Sequence, residues 1–205
     1  MQEDYSKAVD FASKGDLKNA VDILSRCVDS DQNYHYNKFI VDIIDNFDET
    51  SLQQQITRDD DRLLEAIPTS LMDKFSKKFF KGEYIVRKGD PANSFFVIAN
   101  GTVLITITGK TADIPIALNF MGEGEFFGEM ALFVGGKRTA NVITVSQKAT
   151  LLEVSKPQLE VFIDKHPKFG MKMISTLCGR LSKTNQILSD LVDSGIYTDA
   201  REVLG

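Results

Sequence analysis

The sequence predicts an α+β chain: helices first, an all-β sandwich or barrel in the middle, and a long helix at the end. Three observations predict it. From residue 3 to 57, small and apolar residues recur at spacings of three and four. From 78 to 155, short runs rich in Val, Ile, Thr and Phe recur every 8 to 12 residues or so, punctuated by Gly82, Gly89, Gly101, Gly109, Gly122 and Gly124. From 174 to 191, apolar residues step alternately by three and four, as in a heptad seam. The chain is divided accordingly into a helical segment 1–57, a helical linker 58–77, a β core 78–155 and C-terminal helices 156–205.

In the first segment Ala8, Phe11, Ala12, Leu17, Ala20, Val21, Leu24 and Val28 fit one helical face. "KGD" at 14–16 breaks it, with Gly15 as C-terminal signal and Asp16 as the next helix start, so a helical hairpin is expected. "YHYNKFIVDIIDNF" gives a further helix with Tyr36, Phe39, Ile40, Ile43, Ile44 and Phe47 on one side. The Ala8, Gly15, Asp16, Ala20, Leu24 spacing resembles a tetratricopeptide-type helix pair. A stable solenoid needs about three repeats, and there is room for little more than one. The hairpin therefore either forms a peptide groove or packs on the next domain or a second subunit.

In the linker, Asp59 to Asp61 suit a helix N-terminus, Pro68 breaks the chain, and Thr69 or Ser70 can cap a short helix. "KFSKKFFKG" is the longest basic stretch; interrupted by Phe, it reads as a helix end with a solvated lysine edge. After the β runs, Pro157 suits a first helical turn and His166-Pro167 ends that helix. The seam of Ile174, Leu177, Leu181, Thr184, Leu188 and Leu191 has one polar member. It is either an intramolecular face or a two-stranded dimer contact.

Composition excludes several classes. The chain is 42% hydrophobic and 26% charged, with a net charge of −5. Such an acidic balance gives no general attraction to DNA or to an anionic membrane, and neither is expected as a partner. No apolar run approaches the ~20 residues of a spanning helix, and the charged start is no signal peptide. Cys27 and Cys178 form no motif and read as reduced thiols, so a cytoplasmic protein is expected. "GEGEFFG" spaces its glycines one residue too widely for a dinucleotide fingerprint and lies between β runs. "GGKRT" is no P-loop: Ala131 stands where a Gly is required and Arg138 where Ser or Thr is required. His35 and His166 lie in different helices, and no metal site, cofactor or catalytic constellation is expected.

One stretch stands apart. "FFGEMALFVGGKRTANVIT", residues 126–144, places Glu129 among Phe126, Phe127, Met130, Leu132 and Phe133, with Arg138 nine residues later. A carboxylate there is costly to bury without a partner. Read as strand, short helical turn and strand, Gly128 lets the backbone pass close to a bound object. The N–H groups leading the turn form an anion site, Arg138 supplies a fork for a phosphate, and Glu129 accepts from hydroxyls such as those of a ribose. Together these describe a sugar-phosphate pocket, with flanking apolar strands covering the rest of the ligand. The alternative is a buried Glu129–Arg138 ion pair with no ligand.

"FFGEMALFVGGKRTANV" resembles the phosphate-binding cassette of cyclic nucleotide-binding domains, whose pattern is F-G-E-x-A-L, a variable loop, then R-[ST/A]-A. "KGEYIVRKGDPANSFFVIANGTVLI" resembles the opening of that family's β-roll, and the similarity spans about 65–192. The resemblance implies an antiparallel, jelly-roll-like β-roll with a long C-terminal helix. It also implies that Glu129 holds the ribose 2′-hydroxyl and Arg138 the exocyclic phosphate oxygens, with N–H groups near Gly128, Met130, Ala131 and Ala140 completing the cradle. Thr139 would bond the phosphate or a syn guanine, which leans toward cGMP, although cAMP receptors carry the same residue. "GRLSKTNQILSDL" resembles the long helix of the catabolite-activator branch, which would put Thr184 and Asn185 by the base. That branch continues into a DNA-reading helix-turn-helix, for which the eleven residues after "LVDS" leave no room.

The expected function is a non-catalytic receptor module for cAMP, with cGMP as the alternative ligand, that repositions its C-terminal helix and works through a homodimer or a protein partner. The rivals are an adaptor with a vestigial pocket and the sensor part of a longer enzyme or transcription factor.

Overall fold

Alternation of inward and outward side chains along the β runs builds two four-stranded antiparallel sheets. The structure is a computed structural model of the 205-residue chain. It describes residues 2–17, 19, 20, 23, 32–48, 67, 75–108 and 115–193. The chain divides into two compact units, residues 1–161 and 162–205.

In the first unit, α1 spans Gln2–Ser13 and α2 spans Gln32–Asn46. The strands are β1 (Ser76–Phe80), β2 (Tyr84–Val86), β3 (Ser94–Asn100), β4 (Val103–Thr108), β5 (Pro115–Met121), β6 (Phe126–Phe127), β7 (Asn141–Thr144) and β8 (Lys148–Ser155). One sheet has the order β1-β8-β3-β6 and the other β2-β7-β4-β5. This is the expected α+β architecture, a β-roll between helices.

Side-chain parity sets the layers. On β4, β5 and β7 the residues Val103, Met121 and Val142 share a core with Phe96, Ile98, Phe127, Ala149 and Leu151 of the other sheet. Their neighbours Leu104, Phe120 and Ile143 point the other way. They share a second core with Ala8, Val9, Ala12, Phe39, Ile40 and Ile43 of the helices. The β2-β7-β4-β5 sheet is therefore the middle layer of three. Phe47 meets Phe120 at 5.2 Å between ring centroids. The buried apolar residues described on the N-terminal helices pack on this sheet, which gives no support to a peptide groove of the tetratricopeptide kind.

The break between the first helices follows the sequence: Asp16 Oδ1 accepts from the Asn19 N–H at 3.2 Å, the bond of an N-cap. The side chain of Tyr36 and the linker features at Asp59 to Asp61, Pro68, Thr69 and Ser70 lie outside the described residues.

One local expectation is corrected. "KFSKKFFKG" is not helical through its lysines: after the helical Phe75, residues Ser76–Phe80 form β1, paired with β8 from Ser76↔Leu152 to Phe80↔Lys148. Lys77 and Lys78 are exposed, as expected of a lysine edge, but the backbone ladder decides the conformation. As an edge strand with only Phe79 half-buried, β1 shows almost no alternation, and Lys77 and Lys78 guard the edge.

Thr144, on β7, is fully buried, and its hydroxyl has no hydrogen-bond partner among the described residues. A buried, unpaired hydroxyl carries a desolvation cost. Thr144→Val, close in shape, should raise unfolding free energy by about 1 kcal/mol in a denaturant titration. A loss of stability would mean that the hydroxyl is satisfied in solution.

The C-terminal helices are α3 (Lys156–Lys165) and α4 (Pro167–Asp193). Within the second unit Phe162 packs edge-on to Phe169, with centroids 4.7 Å apart. Of the expected seam on α4, Ile174, Leu181 and Leu188 are exposed. The side chain of Leu191 is outside the described residues. No described helix is long and apolar enough to cross a membrane.

Candidate functional site

The segment from β6 to β7 makes the expected strand, turn and strand. Phe126 and Phe127 anchor its start in the β-roll, opposite Val97 and Phe96. Glu129 and Met130 begin a helical turn that continues as a short π-helical turn, Ala131–Gly135. Gly136 closes it, its N–H donating to the Ala131 carbonyl at 2.7 Å.

Three backbone hydrogen bonds stitch this segment to the loop between β2 and β3. The N–H of Gly89 donates to the Arg138 carbonyl at 2.8 Å, that of Arg138 to the Asp90 carbonyl at 2.8 Å, and that of Ala92 to the Gly136 carbonyl at 2.8 Å. "RKGDPAN" and "GGKRT" are thus parts of one site, and the main chain of Arg138 is fixed on both sides.

Glu129 is buried at 8% exposure and Arg138 at 7%. Ala131 is buried, Gly128 and Ala140 are half-buried, and Met130 and Thr139 are exposed. The Thr139 hydroxyl lies 3.8 Å from the Met130 sulfur. These seven expected residues therefore lie on one stitched segment. Thr184 and Asn185 belong to α4 in the second unit, where the Thr184 hydroxyl donates to the Arg180 carbonyl at 2.9 Å.

The surroundings of Arg138 are richer than expected. Its Nη1 donates to the Ser94 carbonyl at 2.7 Å and to the Gly128 carbonyl at 3.3 Å, and its Nη2 donates to Ser94 Oγ at 3.2 Å. The Phe96 ring lies 5.4 Å from the guanidinium carbon. A Cβ added to Gly128 would stand 2.5 Å from Nη1. The object that Gly128 lets pass is the arginine's own head group.

Ser94 Oγ in turn donates to Glu153 Oε1 at 2.7 Å, and Lys77 pairs with the other carboxylate oxygen. Burial lowers the Arg138 pKa from its ordinary value, against the pull of Glu153 and Asp90. Burial alone would raise that of Glu153. Hydrogen bonds from Lys77 and Ser94, with the charges of Lys77 and Arg138, outweigh it and hold the Glu153 carboxyl below its usual 4.5. The sign follows from the folded carboxyl releasing its proton more readily than the unfolded one. The stability Glu153 contributes is complete above pH 4.5 and is lost as pH falls through the lowered folded value. Glu153→Gln should flatten the acid limb of stability against pH; an unchanged limb would contradict the assignment.

A cavity of about 560 Å³ adjoins this cluster, lined among others by Ile85, Val86, Phe96, Asp90, Arg138 and Glu153. The lining mixes the charges of Lys77, Asp90, Arg138 and Glu153 with the apolar Ile85, Val86 and Phe96, which suits a ligand with an anionic end and an apolar, ring-like body.

Sequence reasoning missed Ser94, Phe96, Asp90 and Glu153 around Arg138. Glu153 carried a signal: it is a carboxylate inside the apolar run "ATLLEVS", the same anomaly that singled out Glu129. What the sequence hides is the β3–β8 register, which sets Glu153 opposite Phe96.

Residues 76–166 match the family model of the cyclic nucleotide-binding domain. Human cGMP-dependent protein kinase 2 is 32% identical over 89 residues, covering 43% of this chain and 12% of the kinase. The CRP-like cAMP-activated global transcriptional regulator of Mycobacterium tuberculosis is 27% identical over 121 residues, covering 59% of this chain and 51% of the regulator. The chain thus spans about half of one relative and a small part of the other. The crystal structure of Thermus thermophilus catabolite activator protein shares the fold, with a TM-score of 0.53 and 23% identity, over 64% of this chain and 63% of that one. Over residues 76–166 the chain is thus similar in sequence to the cyclic nucleotide-binding domain, and it shares the fold of the activator. With a transcriptional regulator among the relatives, the expectation that DNA is no partner gains no support.

Proposed function

We propose that this chain is a non-catalytic receptor module for a cyclic nucleotide, with cAMP as the ligand. The observation that carries the reading is the buried Arg138 guanidinium, which lines a cavity of mixed charged and apolar walls and lies on the same stitched segment as the buried Glu129. In this reading Arg138 takes the cyclic phosphate and Glu129 the ribose 2′-hydroxyl. N–H groups near Gly128, Met130, Ala131 and Ala140 complete the cradle, and the cavity's apolar wall takes the base. The regulator from M. tuberculosis, named for cAMP, supports the choice of nucleotide.

A second reading, cGMP, is favoured by the exposed Thr139 hydroxyl beside the cassette and by the match to a cGMP-dependent kinase. The output in either case is a changed position of the C-terminal helix, with Thr184 and Asn185 meeting the base. Support for that part is the resemblance of "GRLSKTNQILSDL" to the activator helix. The exposed Ile174, Leu181 and Leu188 give that helix a face for a second copy or for a protein partner. A ligand shifts such an equilibrium only by its differential affinity for the two arrangements.

Thermal denaturation with cAMP, cGMP and non-cyclic 5′-AMP tests the reading. A ligand at a hundred times its Kd stabilises by about 2.7 kcal/mol. A rise in Tm with a cyclic nucleotide and none with 5′-AMP is expected; equal responses to all three would overturn the reading.

A further inference from the structure

We propose that Ser94 and Glu153 form a positioning pair for Arg138, locking its guanidinium so that the edge carrying Nε–H faces an anionic ligand. The identity of that ligand rests on the nucleotide reading above; the geometry does not.

A guanidinium has five N–H donors. Here both Nη1 hydrogens go to the carbonyls of Ser94 and Gly128, and one Nη2 hydrogen goes to Ser94 Oγ. Ser94 thus occupies the end-on fork between Nη1 and Nη2. Among the described residues no acceptor occupies the remaining edge, formed by Nε–H and the second Nη2 hydrogen. That edge is a two-toothed donor matching two oxygens of one anion.

Glu153 sets the direction of this arrangement. A serine hydroxyl has one proton and two lone pairs. Ser94 gives its proton to Glu153 Oε1, so a lone pair faces Arg138 Nη2. Without that carboxylate the hydroxyl is free to rotate and can turn its proton toward the guanidinium, which breaks the bond and loosens the arginine. Lys77, paired with the other carboxylate oxygen, holds the carboxylate in turn. Register makes this possible: Ser94, Phe96 and Glu153 share one face of the β3–β8 ladder, with Phe96 directly opposite Glu153. The ring of Phe96 supports the guanidinium from its apolar side.

The test compares wild type with Ser94→Ala, Glu153→Ala, Glu153→Gln and the Ser94→Ala/Glu153→Ala double variant, each checked for folding by circular dichroism. Two readouts are needed: titration with cAMP and cGMP, and ¹⁵N NMR of the Arg138 side chain without nucleotide. Each alanine variant should bind about tenfold more weakly, the loss of a charged hydrogen bond. The double variant should be no worse than the weaker single one, because both remove the same device. Glu153→Gln keeps an acceptor for the Ser94 proton and should recover most of the affinity, which a purely electrostatic role would not allow. The Arg138 Nη signals should be separate in wild type and averaged in the alanine variants. Alanine variants that bind as tightly as wild type, or Glu153→Gln as weak as Glu153→Ala, overturn the positioning pair while the receptor reading stands. If wild type binds neither nucleotide the receptor reading falls, and the NMR signals alone decide the pair: averaging confined to the alanine variants sustains it, and identical signals in all proteins refute it.

Discussion

Arg138→Ala is expected to weaken cyclic nucleotide binding tenfold or more, the effect of losing about 1.5–3 kcal/mol from one charged hydrogen-bonded contact. The stability cost should be visible as well. The change strips the Ser94 and Gly128 carbonyls of their donor and leaves Glu153 without the charge it faces through Ser94. Arg138→Lys separates the two consequences. It keeps a cation but lacks the planar fork, so it should restore more stability than affinity. Calorimetric titration of both variants, with their melting temperatures, checks this. Wild-type affinity in Arg138→Ala would remove the arginine from the site.

Gly101→Ala should give the largest stability loss, about 3 kcal/mol or more. The turn between β3 and β4 holds Gly101 at φ +88°, in the left-handed region. An added Cβ would stand 2.5 Å from the Lys148 carbonyl, 2.7 Å from Ser146 Oγ and 2.8 Å from the Ala149 Cα. Two of these are backbone atoms of β8 and cannot rotate away. Gly89→Ala is the control: φ is +92°, but nothing lies within 4 Å of the new atom. It should cost only backbone strain, about 1–2 kcal/mol. Denaturant unfolding of both variants measures the difference, which reports the clash at β8. Equal losses would mean that β8 moves aside.

Most strands were legible because they carry their own turn signals and runs of Val, Ile, Thr and Phe. β1 was not, because its five residues owe their conformation to a ladder with β8, some seventy residues away, and local pattern is blind to that. The N-terminal helical faces were legible as apolar, yet their partner was not. It is the outer face of β4, β5 and β7, which becomes visible only once Leu104, Phe120 and Ile143 are known to point away from the roll. At the site, Glu129 and Arg138 stood out as charges in apolar surroundings. The expected ion-pair alternative assumed that these two groups concern each other. The charges acting on Arg138 include Glu153 and Asp90, which come from other strands and loops through register rather than spacing. Gly128 was expected to lie close to a bound object, and the group that approaches it here is Arg138 itself.

The most direct measurement is a calorimetric titration of the wild-type protein with cAMP and with cGMP. Saturable binding of a cyclic nucleotide at micromolar Kd or tighter, with cAMP the stronger ligand, is the predicted result. No heat and no competition from either nucleotide at millimolar concentration would contradict the receptor assignment.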